Sequence, residues 1–198
     1  STAGGAKRGR AKSRFFPVAE NNHLLTYSEA LNAGCEAVGR KAYHTALCHH
    51  SGFLVPPGVV ISGDIFLADR RGENIDNIFA AVAAHISGAP RVIVRSSALE
   101  EDQAVASFAG QYLSVICENT VPDIKRAAQA CWRAYESQPA TAYRKAMTGR
   151  EESSPRAMPL LIQKTVRADC SGVCFSADPK NAREGVVVIN AVHGLGET

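Results

Sequence analysis

The stretch Arg91-Val-Ile-Val-Arg-Ser-Ser-Ala-Leu-Glu-Glu-Asp102, which continues through Ser107-Phe-Ala-Gly-Gln-Tyr112, decides how the rest of the chain is interpreted. Its apolar run Val92-Ile-Val94 is typical of a buried strand. The run ends at Arg95, and serines, acidic residues and small residues follow. A guanidinium beside a loop rich in hydroxyl and backbone donors suits a ligand that carries phosphates.

A purely structural interpretation fits the same residues equally well. Ser97-Ala-Leu-Glu100 has the spacing of a helix capping box. Arg95 could also form an ion pair with Glu101 or Asp102, which would leave it no ligand to bind. The stretch taken alone therefore leaves both a phosphate site and a capped helix open.

The composition is that of an ordinary globular chain. Of the 198 residues, 45% are hydrophobic and 21% are charged, which predicts one domain or one domain built of two lobes. No apolar run approaches the ~18 residues that a membrane span needs, and the N-terminus lacks the apolar core of a signal peptide. We therefore expect no membrane partner and a cytoplasmic location.

The net charge of +3 is concentrated in one tail. The first 14 residues contain Lys7, Arg8, Arg10, Lys12 and Arg14 and no acidic residue. With few hydrophobic side chains, residues 1–20 are predicted to be a disordered basic leader or a remnant of cloning. The basic balance belongs to this tail, so a nucleic-acid partner is not predicted.

The six cysteines are predicted to be free thiols, because their spacings are irregular and no signal peptide precedes them. Cys170 and Cys174 are four residues apart without a second pair to complete a zinc site. Cys48-His-His50 lies at the end of a helical pattern, where histidines suit the helix dipole. No metal ligands are predicted in the chain.

A broken helical pattern precedes the Pro56-Pro-Gly58 turn. Apolar residues follow a helical period from Leu31 onward, but Gly34 and Gly39 interrupt it. The sequence predicts a short helix, a turn at Gly39-Arg40, and a second helix from about Lys41 to His50. Lys41 would then lie at a helix start, where free backbone N–H groups attract an anion. The alternative is a solvated surface lysine, which is the usual state of this residue.

The C-terminal part predicts mostly strands. The runs Met158–Val166, Gly172–Ala177 and Gly185–Val192 are joined by short links, which is typical of an antiparallel meander. The predicted fold class is α+β: mixed helices and strands first, then the meander. Because the chain stops after a glycine-bearing loop that leaves a strand, we expect the domain to be truncated at Thr198.

Several motifs together resemble the N-terminal nucleotide-binding domain of the phosphoenolpyruvate synthase and pyruvate phosphate dikinase family. Rifampin phosphotransferases and plant glucan, water dikinases share related domains. Residues 21–198 are thereby identified as the front part of this domain. The matching pieces are Val38-Gly-Arg-Lys41, Val55-Pro-Pro-Gly58, Val94-Arg-Ser-Ser-Ala98 with Glu101-Asp102, Ser107-Phe-Ala-Gly-Gln111, Cys131-Trp132 with Tyr143-Arg144, Gln163-Lys-Thr-Val166, Ser171-Gly-Val-Cys-Phe-Ser-Ala-Asp-Pro179 and Gly194-Leu-Gly-Glu197.

The resemblance implies an ATP-grasp-like fold with ATP between two lobes. Arg95 matches the catalytic arginine that steadies the transferring phosphoryl group, and Lys41 matches a lysine that contacts phosphates. Residues 107–110 match the loop over the phosphates, and residues 163–166 match the segment that lines the adenine. The implied ATP-binding residues are Lys41, Arg95, Ser107, Ala109, Gly110, Ser114, Gln163, Lys164 and Val166.

The resemblance also implies a larger protein with several domains. ATP and Mg²⁺ would be the cofactors, with the magnesium ligands outside this chain. The full protein would phosphorylate a carrier histidine in a separate domain, which would pass the phosphoryl group to pyruvate or another acceptor. The fragment itself should be inactive. The alternative is a non-catalytic nucleotide-sensing or interaction module with the same fold.

The chain departs from the family pattern at several positions. The usual Gly-Gly-Lys-Gly is here Gly39-Arg-Lys-Ala42, and two lost glycines restrict how closely that backbone can approach a ligand. Leu99 replaces a common threonine, Gln103 a common leucine, and Thr165 a frequent methionine. The altered loop Gly39-Arg-Lys-Ala42 motivates the non-catalytic alternative, whereas the other departures bear on the substrate class.

Overall fold

The computed structural model describes residues 23–99, 113–137, 157–177 and 185–195. Helices and strands alternate in the first part of the chain, and strands dominate the last part. The helices are α1 (Tyr27–Ala33), α2 (Cys35–His50), α3 (Gly63–Arg70), α4 (Asp76–His85) and α5 (Val121–Glu136). The strands are β1 (Leu24–Leu25), β2 (Gly58–Ile61), β3 (Arg91–Ser96), β4 (Ser114–Glu118), β5 (Leu160–Lys164), β6 (Cys170–Phe175) and β7 (Val188–His193).

Five of the strands form one sheet in the order β1-β2-β5-β3-β4, and every neighbouring pair is antiparallel. The other two, β6 and β7, pair with each other in a separate two-stranded sheet. The mixed α+β class predicted from the sequence is confirmed by this arrangement. The strand run around Val92 is β3, as its apolar character predicted.

Helices cover both faces of the five-stranded sheet, so that two hydrophobic cores form. Helices α3, α4 and α5 pack on one face over alternate strand residues such as Val92, Leu160 and Ile162. We call this the three-helix face. Helices α1 and α2 pack on the other face over Val60 and Leu161. We call this the two-helix face. The alternation follows from the period-2 geometry of a strand.

The predicted C-terminal meander is correct for its last two strands, β6 and β7, which pair antiparallel, and wrong for the first. The first of its three strands, β5, does not pair with β6; it lies in the middle of the large sheet between β2 and β3. The physical reason is burial: Leu160, Leu161 and Ile162 are all fully buried, which requires cover on both faces. A continuous apolar run is the pattern of such a central strand, whereas a meander exposed on one side alternates.

The broken helix predicted before Pro56 is confirmed. Helix α1 ends at Gly34, and α2 contains a non-helical residue, Gly39, whose φ of 77° and ψ of 165° divide it into two segments. The left-handed φ is one that glycine adopts without steric cost. The second segment begins with Arg40 and Lys41, close to the predicted start.

All six cysteines are free, as the sequence predicted. Burial raises the pKa of the Cys117 thiol to about 11, so this side chain stays neutral at physiological pH. In the described part of the chain, no helix is both long enough and apolar enough to span a bilayer.

The central position of β5 generates a stability prediction. Ile162→Ala should lower the free energy of unfolding by roughly 2–5 kcal/mol, because the truncation leaves a cavity in a fully packed core. Val166, which is 54% exposed just beyond the strand, supplies the matched control. Val166→Ala should change stability by less than about 0.5 kcal/mol. Urea unfolding followed by tryptophan fluorescence measures both, and equal effects would contradict the central placement.

Candidate functional site

None of the helices in the described ranges covers the β3–β4 part of the two-helix face. Helices α1 and α2 pack against β2 and β5, while Ser114 and Ile116 on β4 are exposed and Ile93 and Arg95 on β3 are half-buried. We call these four residues the open face.

Arg95 and Ser114 lie together on the open face. They are directly opposite each other in the β3–β4 ladder, so their side chains project from the same face. The Nε of Arg95 is buried and has no hydrogen-bond partner among the described residues. A buried donor without a partner is costly, so this atom marks a place where an acceptor would be stabilising. Sequence and structure agree in bringing these two predicted site residues together.

Lys41 lies in the second segment of α2, on the same side of the sheet. The segment start is not the open anion site that the sequence predicted, however. The N–H of Arg40 donates to Ala98 O at 3.3 Å, and the N–H of Ala42 donates to the Ser97 hydroxyl at 2.9 Å. Protein groups therefore already bind these two helix-start N–H groups, which are not free to attract an anion.

The capping box was one of the two interpretations left open for Ser97, but the Ser97 hydroxyl binds a distant helix instead. Ser97 is fully buried and not helical; its hydroxyl accepts from Ala42 N and donates to Val38 O at 2.8 Å. It thus caps a helix that is distant in sequence, not one that starts locally. The proposed box partner Glu100 and the alternative ion-pair partners of Arg95, Glu101 and Asp102, lie outside the described residues.

Gln163 is placed on the two-helix face, but its side chain points into the protein. It is only 5% exposed, and its amide Nε2 donates to the Tyr27 hydroxyl at 3.0 Å. That hydroxyl donates in turn to Pro56 O at 2.7 Å. Burial raises the pKa of Tyr27, which keeps the hydroxyl protonated as a donor. Gln163 therefore ties β5 to α1 and to the Pro56–Gly58 turn.

Gly58 makes this chain of hydrogen bonds possible. A Cβ at this position would lie 2.5 Å from Ile162 O and 2.6 Å from the Tyr27 hydroxyl oxygen. Backbone and side chain leave no room for a methyl group there. The sequence indicated the Pro-Pro-Gly turn but gave no sign of Tyr27, whose role depends on a contact between residues that are 136 positions apart.

The remaining residues of the predicted adenine-lining segment diverge. Lys164 continues the row of Leu160 and Ile162 by strand alternation, which places it on the three-helix face, opposite to Gln163. Val166 is exposed beyond the end of β5. Thr165 was noted only as a departure, yet its Oγ1 is buried without a hydrogen-bond partner among the described residues.

The structure thus brings Arg95 and Ser114 together on the open face, with Lys41 on the adjoining helix and Gln163 on the neighbouring strand. Ser107, Ala109 and Gly110, the predicted phosphate loop, lie outside the described residues. Within the described ranges, no group of three or more histidine, cysteine, aspartate or glutamate side chains could hold a metal ion.

Comparison with known sequences identifies the family. Residues 66–198 match the family described as the pyruvate phosphate dikinase, AMP/ATP-binding domain. The chain belongs to this family, which confirms the relationship expected from its motifs. The matched region contains Arg95, Ser114 and Gln163, whereas Lys41 precedes it.

Three curated relatives illustrate the range of the family. The chain is 29% identical over 151 residues to the prodigiosin synthesizing transferase PigC of Serratia marcescens, covering 73% of this chain and 16% of the relative. It is 41% identical over 133 residues to a probable phosphoenolpyruvate synthase of Staphylothermus marinus, covering 64% and 15%. It is 38% identical over 138 residues to the rifampicin phosphotransferase of Bacillus cereus, covering 68% and 15%. The matches therefore span about a sixth of each relative's length.

The Tyr27–Gln163 hydrogen bond can be tested by deletion of one hydroxyl. Tyr27→Phe should lower the free energy of unfolding by about 1–3 kcal/mol, because it leaves the buried Gln163 amide without its partner. Tyr43→Phe, which removes the hydroxyl of a half-buried tyrosine on α2, is the matched control and should cost less. Chemical denaturation of both variants measures the difference. If the Tyr27→Phe variant is as stable as the Tyr43→Phe variant, the hydrogen bond to Gln163 contributes nothing measurable to stability.

Proposed function

We propose that this chain binds ATP over the open face and supplies the ATP-binding part of a phosphotransferase. The full-length protein would be of the phosphoenolpyruvate synthase or pyruvate, phosphate or water dikinase type. The observation that carries the proposal is Arg95: its buried Nε has no partner among the described residues, it faces Ser114, and it lies within the matched family region.

The chemistry of these residues fits a polyphosphate. A guanidinium offers several donors in a fixed plane, which suits the oxygens of a phosphoryl group better than a flexible ammonium does. The Ser114 hydroxyl could donate to the same group, and Lys41 would add charge from the adjoining helix. Charge that is already in place stabilises a transferring phosphoryl group without reorganisation.

The base would lie against the end of β5. Extended backbone at residues 164–166 could offer N–H and C=O groups to the edge of a purine, although Lys164 N already donates to Pro57 O and Thr165 N to Arg91 O. That leaves the carbonyls, Val166 N and the Thr165 hydroxyl as groups for the base. Gln163 would act indirectly, by fixing the strand through Tyr27.

The further partners are proposals from the family. Mg²⁺ would accompany ATP and neutralise charge on its phosphates, held by ligands outside this chain. A phosphohistidine domain would receive the phosphoryl group and deliver it to an acceptor domain. The relatives' names include both phosphoenolpyruvate synthases and a rifampicin phosphotransferase, which supports an ATP-binding part that can be combined with different acceptors.

Substitution of Arg95 tests its proposed role. In the full-length protein, Arg95→Ala should lower ATP-dependent phosphorylation of the carrier histidine by at least about 100-fold, the scale for loss of one group that stabilises transition-state charge. Arg95→Lys should restore only part of it, because the planar fork is lost. Arg126→Ala, which removes an arginine from an ion pair on α5, is the control and should leave the rate unchanged. Wild-type rates in Arg95→Ala would refute the role.

Binding itself is tested by thermal unfolding. ATP at about 100 times its dissociation constant should raise the free energy of unfolding of the full-length protein by ~2.7 kcal/mol. The 198-residue chain alone should release no AMP or ADP from ATP, since the groups that complete the site are expected outside it. Absence of any shift in the full-length protein would contradict the proposed function, and robust turnover by the chain alone would contradict the division of the site.

The second candidate is a module that binds nucleotide without catalysis. The observation that favours it is Arg40, which stands where the family usually has glycine and whose Nε donates to Leu99 O at 2.8 Å. This contact holds the loop after β3 against α2 and could restrict its closure over phosphates. Nucleotide-dependent thermal stabilisation without histidine phosphorylation would support this function over the first.

A further inference from the structure

One buried hydroxyl joins the two elements that carry the proposed cationic residues. Ser97 lies two residues beyond Arg95, where the chain leaves β3. Its hydroxyl donates to Val38 O at 2.8 Å and accepts from Ala42 N at 2.9 Å, so it bridges the break in α2. The Ser97 backbone N–H donates to Pro159 O at 3.1 Å, which keeps the residue attached to the sheet.

The break in α2 is shaped to receive this serine. A Cβ on Gly39 would lie 1.6 Å from Ser97 O and 2.6 Å from Ser97 Oγ, so the two backbones touch where any other residue would collide. With its φ of 77°, Gly39 also turns the helix so that the next segment starts against the loop. The cap of this helix segment therefore comes from the loop after β3 and not from a residue next to the helix in sequence.

A second contact supports the first. Arg40 N donates to Ala98 O at 3.3 Å, and Arg40 Nε donates to Leu99 O at 2.8 Å. Three successive residues after β3 thus hold the first residues of the second α2 segment. Lys41 lies between Arg40 and Ala42, both of which are anchored, so its backbone position is set by this loop.

We propose that Ser97 is a positioning residue that fixes Lys41 relative to Arg95, so that both cations meet the same polyphosphate. The inference rests on the proposed function. Arg95 belongs to the sheet and Lys41 to a helix, and the hydroxyl of Ser97 is a fully buried polar link between them, beside the contacts of Arg40. Small errors in such placement are costly in catalysis, since ~1 Å of displacement can reduce a rate about 100-fold.

The test is a double-mutant cycle in the full-length protein, with the dissociation constant for Mg-ATP measured by calorimetry. Ser97→Ala should weaken binding by about 10-fold, and Lys41→Ala should weaken it by a similar or larger factor. If Ser97 acts through Lys41, the double variant should bind within about 2-fold of Lys41→Ala alone. Additive effects of the two substitutions would overturn the inference.

Thr120→Ala separates positioning from general stability. Thr120 caps α5 by accepting from Asp123 N, so its removal also deletes a helix cap, but one on the three-helix side of the sheet. It should lower the melting temperature as Ser97→Ala does while leaving Mg-ATP affinity unchanged. If Thr120→Ala and Ser97→Ala lose the same affinity for Mg-ATP, Ser97 contributes only to general stability and not to the position of Lys41.

Arg40→Lys decides the question if Ser97→Ala does not fold. Lysine keeps the positive charge but lacks the guanidinium that donates to Leu99 O, so binding should weaken about 3-fold if the contact positions Lys41. Wild-type affinity in this variant would overturn the inference.

If wild-type protein binds Mg-ATP but Ser97→Ala binds equally well, the inference alone fails. If wild-type protein does not bind Mg-ATP, the proposed function fails and the inference fails with it.

Discussion

The structure depends on the insertion of β5 between β2 and β3. Residues 160–162 are buried on both faces of the sheet, and this strand joins parts of the chain that are about 70 to 100 residues away. It lies between the two hydrophobic cores and contributes buried side chains to each. Because β3 gains a neighbour on each side, its end at Arg95 is fixed by two ladders instead of one. Rigid strands position functional side chains more accurately than loops do.

The second constraint is the contact of Gly39 with Ser97. The helix that covers β5 is broken at a glycine, and the loop from β3 fills the break. This contact therefore completes a helix cap and holds the loop after β3 against α2. A buried polar group of this kind is stable only when every donor and acceptor is satisfied, which Ser97 achieves with Val38 O and Ala42 N.

The sequence was informative where the determinants are local. Gly34 and Gly39 interrupt a helical period, and both breaks are present; the apolar run at Val92 is a strand. It was misleading where partners are distant. Nothing near Ser97 indicates that its hydroxyl binds a helix 55 residues upstream, and a capping-box spacing suggested a local partner. The position of β5 was indicated by its unbroken apolar run, but the short links around it favoured a meander.

At the site, the motifs grouped Arg95 with Ser114, whereas the inward turn of Gln163 depends on Tyr27 and was not foreseen.

The departure at Arg40 now has a physical account. A glycine there would let the helix start approach a ligand closely, but the N–H groups of Arg40 and Ala42 are already bonded to the loop after β3. Close approach of this backbone to a phosphate would require those bonds to break. An arginine in place of glycine adds a further hydrogen bond, to Leu99 O, and so stabilises the contact of the loop after β3 with α2. This backbone therefore holds Lys41 in place instead of being free to bind an anion, and in the proposed site the phosphates would be bound by side chains. A backbone that is positioned before a ligand arrives lowers the ordering cost of binding, so this exchange is compatible with the nucleotide binding that we propose.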